Sequence, residues 1–319
     1  MTYSQTASWM MPASDLAGRV ARDPFYTDTR RRINALLDRY LAVNVLSDRL
    51  SNVQAQFDTP QARPWERFNL RHIHPEQIVG IRPELFVRVL VSAAEIEDPI
   101  RDYARESYHY LHPIHPKMAE FMGGTLDADG RILSLGVWEK EERQHGPLFR
   151  KLHEKLSGDT LLVKPNSVDG YHPSTRPTQQ ACRHTLGRIS TEWGALSAYL
   201  WLAAHATGEL QKAIAQPLQD EINHLAKFWG FSRWAFATSF WQQLGGTTRN
   251  LIRLSTHHRD ERTHGQDLFA LHPDRLQPAI EIGFTLTRVL VCLKRWDREL
   301  TGSYLRHVFG GDRYWLMDA

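Results

Sequence analysis

The feature that most constrains this chain is the placement of acidic and imidazole side chains in the middle of apolar helical faces. Leu135, Trp138, Glu142, His145, Phe149 and Leu152 recur every three or four positions, so on a helix they share one face. Four of them are large and apolar; the other two form a Glu-x-x-His pair. The stripe Ile214, Leu218, Glu221, His224, Phe228, Phe231 repeats the arrangement. Between them, Ile189, Glu192, Leu196, Tyr199 and Ala203 surround a single Glu, and Leu90, Ala93, Glu97, Ile100, Ala104 and Tyr108 surround another. A carboxylate buried alone takes up a proton rather than stay charged. Four carboxylates and two imidazoles converging in one core call for positive charge among them, and two metal ions would supply it.

Glu, Glu-x-x-His, Glu, Glu-x-x-His on four helices is the ligand pattern of ferritin-like di-iron and di-manganese bundles. The three-residue spacing lets a Glu bridge two metals while the His caps one. The chain holds two further Glu-x-x-His pairs. Glu106/His109 falls near a helix end and reads as a partly exposed local pair; Glu261/His264 lies in the charge-dense HHRDERTHG and reads as surface. On the first helix Glu97 has the most apolar stripe, and Glu106 remains the main alternative. Glu95 shares its face with Asp98, Asp102 and Glu106, which reads as solvated.

The remaining periodicity is helical throughout. It predicts a helix over 27–51 opened by Asp28 or Thr29, and another from Pro83 to Leu111, kinked at Pro99 and ended by Pro113 and Pro116. Further helices are expected at about 131–156, 178–206 and 208–228, with a glycine- and aspartate-rich turn before the first and a proline-containing loop over 157–177. The C-terminal stretch reads as helical with breaks at Gly245–Gly246 and Pro273. Pro147 and Pro217, one beside each Glu-x-x-His, are expected to open the helical hydrogen-bond ladder. The expectation is one all-α domain over 1–319: a ferritin-like four-helix core at about 83–231, flanked by helices 27–51 and 232–319.

Composition narrows the function classes. Hydrophobic residues at 42% and charged residues at 24% exclude wholesale disorder. The balance of 39 basic against 36 acidic residues, a net +3, is too mild to imply nucleic acid. Two cysteines, Cys182 and Cys292, are too few for a disulfide framework, an iron–sulfur cluster or a cysteine-built zinc site. With neither a basic-then-apolar leader nor an apolar run of membrane-spanning length, the expected setting is the cytoplasm, without a membrane span. Glycine-rich nucleotide fingerprints are absent, so reducing electrons would come from outside.

Several segments carry a resemblance. EERQHGPLF (Glu141–Phe149), DEINH (Asp220–His224), FVRVLVSAAEIEDPIRDY (Phe86–Tyr103) and STEWGALSAY (Ser190–Tyr199) are similar to motifs of the soluble acyl-carrier-protein desaturase family, a di-iron branch of the ferritin-like superfamily. The likeness covers about Pro83 to Phe231, roughly half of the chain. It implies Glu97, Glu142, His145, Glu192, Glu221 and His224 as metal ligands. It also implies that Asp220 hydrogen-bonds a metal-bound His on the electron route, with Trp65 a candidate for its tryptophan partner. The family usually has Thr three residues after the third-helix Glu, a hydroxyl that takes part in dioxygen activation; here the position is Ala195. Thr191, one turn earlier on nearly the same face, is the better substitute, whereas Ser197 points almost oppositely.

The resemblance further implies two iron ions (manganese fits the same ligands), O2 as co-substrate and a ferredoxin-type reductant. Its substrate would be an acyl chain carried on acyl carrier protein, and a homodimer is expected. Two other readings stand beside it: a di-iron hydroxylase or N-oxygenase of a free small molecule, and a metal-storage or non-catalytic bundle.

Overall fold

The computed structural model describes residues 24–97, 100–127, 129, 131–163, 170–261 and 273–311. The described residues are all-α apart from one small hairpin. The helices are α1 (Pro24–Tyr40), α2 (Val43–Ser51), α3 (Val53–Asp58), α4 (Pro83–Ile96), α5 (Ile100–Leu111) and α6 (Pro116–Gly123). After the hairpin come α7 (Val137–Ser157), α8 (Pro177–Ala204), α9 (Gly208–Phe236), α10 (Phe240–Glu261), α11 (Pro273–Asp297) and α12 (Gly302–Phe309). The hairpin pairs β1 (Thr125–Leu126) with β2 (Ile132–Ser134) in antiparallel register, Thr125 facing Ser134. Gly124 enters it at φ +85°, where a Cβ would lie 1.8 Å from the Ser134 carbonyl oxygen, so only glycine fits.

Several expected boundaries move, each for a local reason. The helix anticipated over 27–51 is two, separated where Ala42 turns extended (φ −60°, ψ 149°). It opens at Pro24, whose fixed φ suits a first helical turn, so Asp28 and Thr29 lie inside it rather than cap it. The helix anticipated from Pro83 to Leu111 is also two, because α4 stops at Ile96 and leaves Glu97 as its C-cap. Proline at 99 offers no N–H and disfavours helical geometry before it. The kink expected at Pro99 itself lies outside the described residues, as do the Glu261 side chain and His264. The segment after Gly130 begins as β2, delaying α7 to Val137, and α9 runs two turns past Phe228.

Gly245 and Gly246 do not break a helix; they lie within α10. A Cβ on Gly246 would sit 2.7 Å from Leu186 Cδ1, so glycine there permits close approach to α8. Pro273 is the first residue of α11, in keeping with the break expected there, and α7 and α9 continue through Pro147 and Pro217.

Four helices position the site. α4 packs on α7 and α8, and α9 packs on the same two. Trp138, Phe149, Leu196, Leu218 and Phe228 fill the space between them, all essentially buried. α1, α2, α10 and α11 cover the outer faces of α8 and α9. Among the described residues, no helix is long and apolar enough to cross a membrane.

Candidate metal centre

The six residues read from the stripes converge. Glu97, Glu142, His145, Glu192, Glu221 and His224 are all at most 7% exposed. Their ligand atoms fall into two overlapping groups that could each hold a metal ion. Glu97, Glu142, His145 and Glu221 form one; Glu142, Glu192, Glu221 and His224 form the other, with the atoms of each within 4.8 Å of one another. Glu142 and Glu221 belong to both. Glu97 reaches the cluster from the C-cap of α4, just before the break, whereas Glu106 is half-buried on α5 and belongs to neither group.

His145 Nδ1 lies 3.1 Å from Glu142, 3.3 Å from Glu221 and 3.5 Å from Glu97. His224 Nδ1 lies 2.9 Å from Glu142 and 3.5 Å from Glu192. None of these approaches has hydrogen-bond geometry. Both Nδ1 atoms, and both carboxylate oxygens of Glu221, are buried without a hydrogen-bond acceptor or donor. Buried polar atoms are rarely left so. Neutral imidazole nitrogens and carboxylate oxygens aimed at one another are what cations of the iron and manganese type require. The residues therefore fit a pair of metal ions.

The opposite ring nitrogens are held by acids on the facing helix. His145 Nε2 meets Asp220 Oδ2 at 3.2 Å, and His224 Nε2 meets Glu141 Oε2 at 2.8 Å. The two Glu-x-x-His helices thus exchange supports: the acid before Glu142 on α7 holds the histidine of α9, and the acid before Glu221 on α9 holds the histidine of α7. Such partners fix the tautomer and leave Nδ1 free to ligate. Trp65 Nε1 donates to Asp220 Oδ2 at 2.7 Å, and its indole stacks on His145 with centroids 6.1 Å apart.

Arg63 ties the two supports together. Its main-chain N–H donates to Glu141 Oε1 at 2.6 Å, and its guanidinium Nε donates to Asp220 Oδ1 at 2.7 Å. Lys227, also fully buried, donates to Asn223 Oδ1. Burial pushes its ammonium down to about 7.

In the metal-free protein, protons stand in for cations. Burial, then the Glu142 charge, raises Glu97 to about 8. Burial and the charges of Glu142 and Glu192 push Glu221 well above its ordinary range. Burial alone would depress His145 and His224, but the surrounding carboxylates outweigh it and hold both well above the usual imidazole value. Burial likewise opposes ionisation of Glu142 most strongly, yet the two histidines keep it below the normal carboxylate range.

Sequence reasoning missed Glu141, Arg63 and Lys227, and it read Tyr199 only as packing. The doublets Glu141–Glu142 and Asp220–Glu221 were the available signal for the supports. Tyr199 donates its hydroxyl proton to Glu97 Oε1. Around the third-helix Glu, Ala195 is buried without a hydroxyl, and Thr191 donates its own to the Arg188 carbonyl at 2.9 Å. Thr191 is therefore engaged with its own helix. No protein-family model, curated protein or solved structure matches this chain.

Proposed function

We propose that this protein is an O2-dependent di-iron oxidoreductase, acting in desaturase fashion on acyl chains tethered to a carrier protein. The observation that carries the metal reading is the pair of orphaned Nδ1 atoms facing an orphaned Glu221 carboxylate in a buried core. Glu97 and His145 would serve one iron, Glu192 and His224 the other, with Glu142 and Glu221 shared. Two irons bound there would supply O2 reduction and the oxidising power to attack an unactivated C–H bond.

The protein's own residues prepare that chemistry. Asp220 and Glu141 hold the histidines with Nδ1 inward. Arg63 fixes both acids in one geometry. Trp65, half-buried and bonded to Asp220, links the His145 side to the surface loop and is the route we assign to electrons from a ferredoxin-type donor. Trp138, Phe149 and Phe228 keep water from the centre. The acyl-chain assignment rests on the desaturase-like motifs.

A second reading, hydroxylation or N-oxygenation of a free small molecule, draws support from one observation. No free hydroxyl is offered at Ala195, and the nearby Thr191 hydroxyl is committed to Arg188. Both readings are tested by aerobic turnover of iron-loaded protein with ferredoxin, its reductase and a panel of acyl carrier proteins, read by mass spectrometry. Loss of two hydrogens from an acyl chain supports the first. Gain of one oxygen, or activity confined to free small molecules, supports the second. No O2-dependent product from either substrate class rejects both.

A further inference from the structure

Arg188 is a buried charge that the metal centre does not use. It is 8% exposed, in the middle of α8, and its guanidinium lies over the Tyr103 ring of α5 with Cζ 4.5 Å from the centroid. Its Nε is buried with no acceptor, and among the described residues no carboxylate, carbonyl or hydroxyl pairs with its guanidinium. Buried cations are normally paired, and stacking on a ring leaves the hydrogen-bonding edge of a guanidinium unused. His184, one turn earlier, adds no second charge. Burial, then the Arg188 charge, holds its imidazole well below the ordinary value, and its Nε2 meets Ser107 Oγ at 2.9 Å.

Arg188 also heads a run of small side chains. Thr191, Ala195 and Ala198 follow it at spacings of three, four and three, so the four share a face of α8. Ala195 is 9% exposed, and Thr191 and Ala198 are half-buried. On the adjoining stripe Glu192, Leu196 and Tyr199 are at most 3% exposed. The Thr191 hydroxyl already donates to the Arg188 carbonyl, so the run offers an incoming molecule mainly apolar surface. It passes beside Glu192, which lies one turn beyond Arg188.

Resting on the oxidoreductase reading above for its consequence, we propose that Arg188 binds a carboxylate of the substrate, whose hydrocarbon part lies along Thr191, Ala195 and Ala198 beside Glu192. The planar guanidinium presents paired N–H donors that match the two oxygens of a carboxylate. One cation, with a neutral His184 next to it, suits a monoanion; a phosphate dianion would leave buried charge unmatched. On a free substrate the carboxylate is the molecule's own acid group. On a carrier-tethered chain it is the end remote from the thioester.

The test is binding and needs no turnover. Full-length protein, metal-free and iron-loaded, is titrated by calorimetry with four probes: decanoate, methyl decanoate, inorganic phosphate, and sebacate joined through one carboxyl to pantetheine as a thioester. We expect one site per chain for an acid-bearing probe, weakened by at least about tenfold in Arg188→Gln, with iron content and helical circular dichroism as in the parent. Ala198→Leu keeps Arg188 and fills the run, so it should weaken decanoate more than butyrate; this variant decides if Arg188→Gln does not fold. Arg188-dependent binding of decanoate assigns the acid to a free substrate, and binding of the sebacyl thioester alone assigns it to a tethered chain. Binding undiminished by Arg188→Gln, methyl decanoate equal to decanoate, phosphate as the tighter ligand, or no binding of either acid overturns the proposal and leaves the di-iron reading intact. Acid binding in a protein that takes up no iron overturns the di-iron reading alone.

Discussion

Among the described residues two buried carboxylate–histidine clusters stand out, and they differ in one respect. At the α8–α11 contact, Glu281 Oε2 accepts from Trp201 at 2.7 Å and faces His205 Nε2 at 2.8 Å, while Oε1 accepts from Gln277 at 3.1 Å. His205 Nδ1 lies 2.8 Å from the Val79 carbonyl. Every polar atom of Glu281 and His205 has its counterpart, as buried polar groups normally do. At the four-helix site, by contrast, the Nδ1 atoms of His145 and His224 and the carboxylate of Glu221 have none. Burial of acids therefore does not by itself mark a metal centre. Incomplete satisfaction among clustered metal-ligating groups points to one: the first cluster is a finished structural joint, and the second could hold the cations that would complete it.

The comparison breaks most visibly in metal content. Glu142→Ala or Glu221→Ala should lose most of about two bound irons per chain, whereas Glu281→Gln should leave iron unchanged; elemental analysis after anaerobic loading decides. Equal iron in all three variants removes the distinction.

The next effect is on stability of the metal-free protein, measured by denaturant unfolding. Glu281→Leu strands the His205, Trp201 and Gln277 donors and should cost about 3 kcal/mol. Glu221→Gln relieves crowding of buried carboxylates and should stabilise by about 1 kcal/mol. The same sign for both variants would contradict the account.

A graded effect is expected from pH. The folded protein keeps the Glu97 proton up to about 8, whereas the unfolded chain releases it near 4.5. His145 and His224 hold theirs well above the ordinary 6.5. Glu221 is raised likewise, and since all four folded values are raised, the metal-free protein should lose stability as pH rises from about 5 to about 8, by at least about 1.4 kcal/mol per pH unit, one native-state proton's share. Iron displaces those protons, so the loaded protein should show a flat or rising profile. Thermal melts of both forms across that range check the sign. The smallest change is expected from Ala195→Thr, which should alter product distribution and leave iron content as it was; unchanged products would make position 195 irrelevant to oxygen handling.

Much of the site was legible because a helix writes its buried face into a three-and-four repeat. That repeat alone brought Glu142, His145, Glu192, Glu221 and His224 together, with Glu97 at the end of its stripe. The Glu97 stripe even assumed a continuous helix through Ile100 and Ala104, and Glu97 still reached the cluster because α4 ends one residue before it. What periodicity could not show is pairing across the fold. Arg63 meets Glu141 and Asp220 from a loop with no repeat of its own, and the Tyr199 hydroxyl finds Glu97 across 102 residues of sequence. Gly245–Gly246 misled for the same reason, since the close approach at Gly246 depends on Leu186 of another helix. Thr191 faced the right side, but its competing bond to the Arg188 carbonyl is a local one that spacing alone does not reveal.

The central claim is that the orphaned nitrogens mark two metal positions. Diffraction from crystals of iron-loaded protein, collected at and below the iron absorption edge, tests it most directly. The account predicts two anomalous peaks, one within coordination distance of His145 Nδ1 and the other of His224 Nδ1, with Glu142 and Glu221 touching both. A fully loaded crystal with no peak there, or with iron bound elsewhere while both Nδ1 atoms keep to carboxylates, would contradict it.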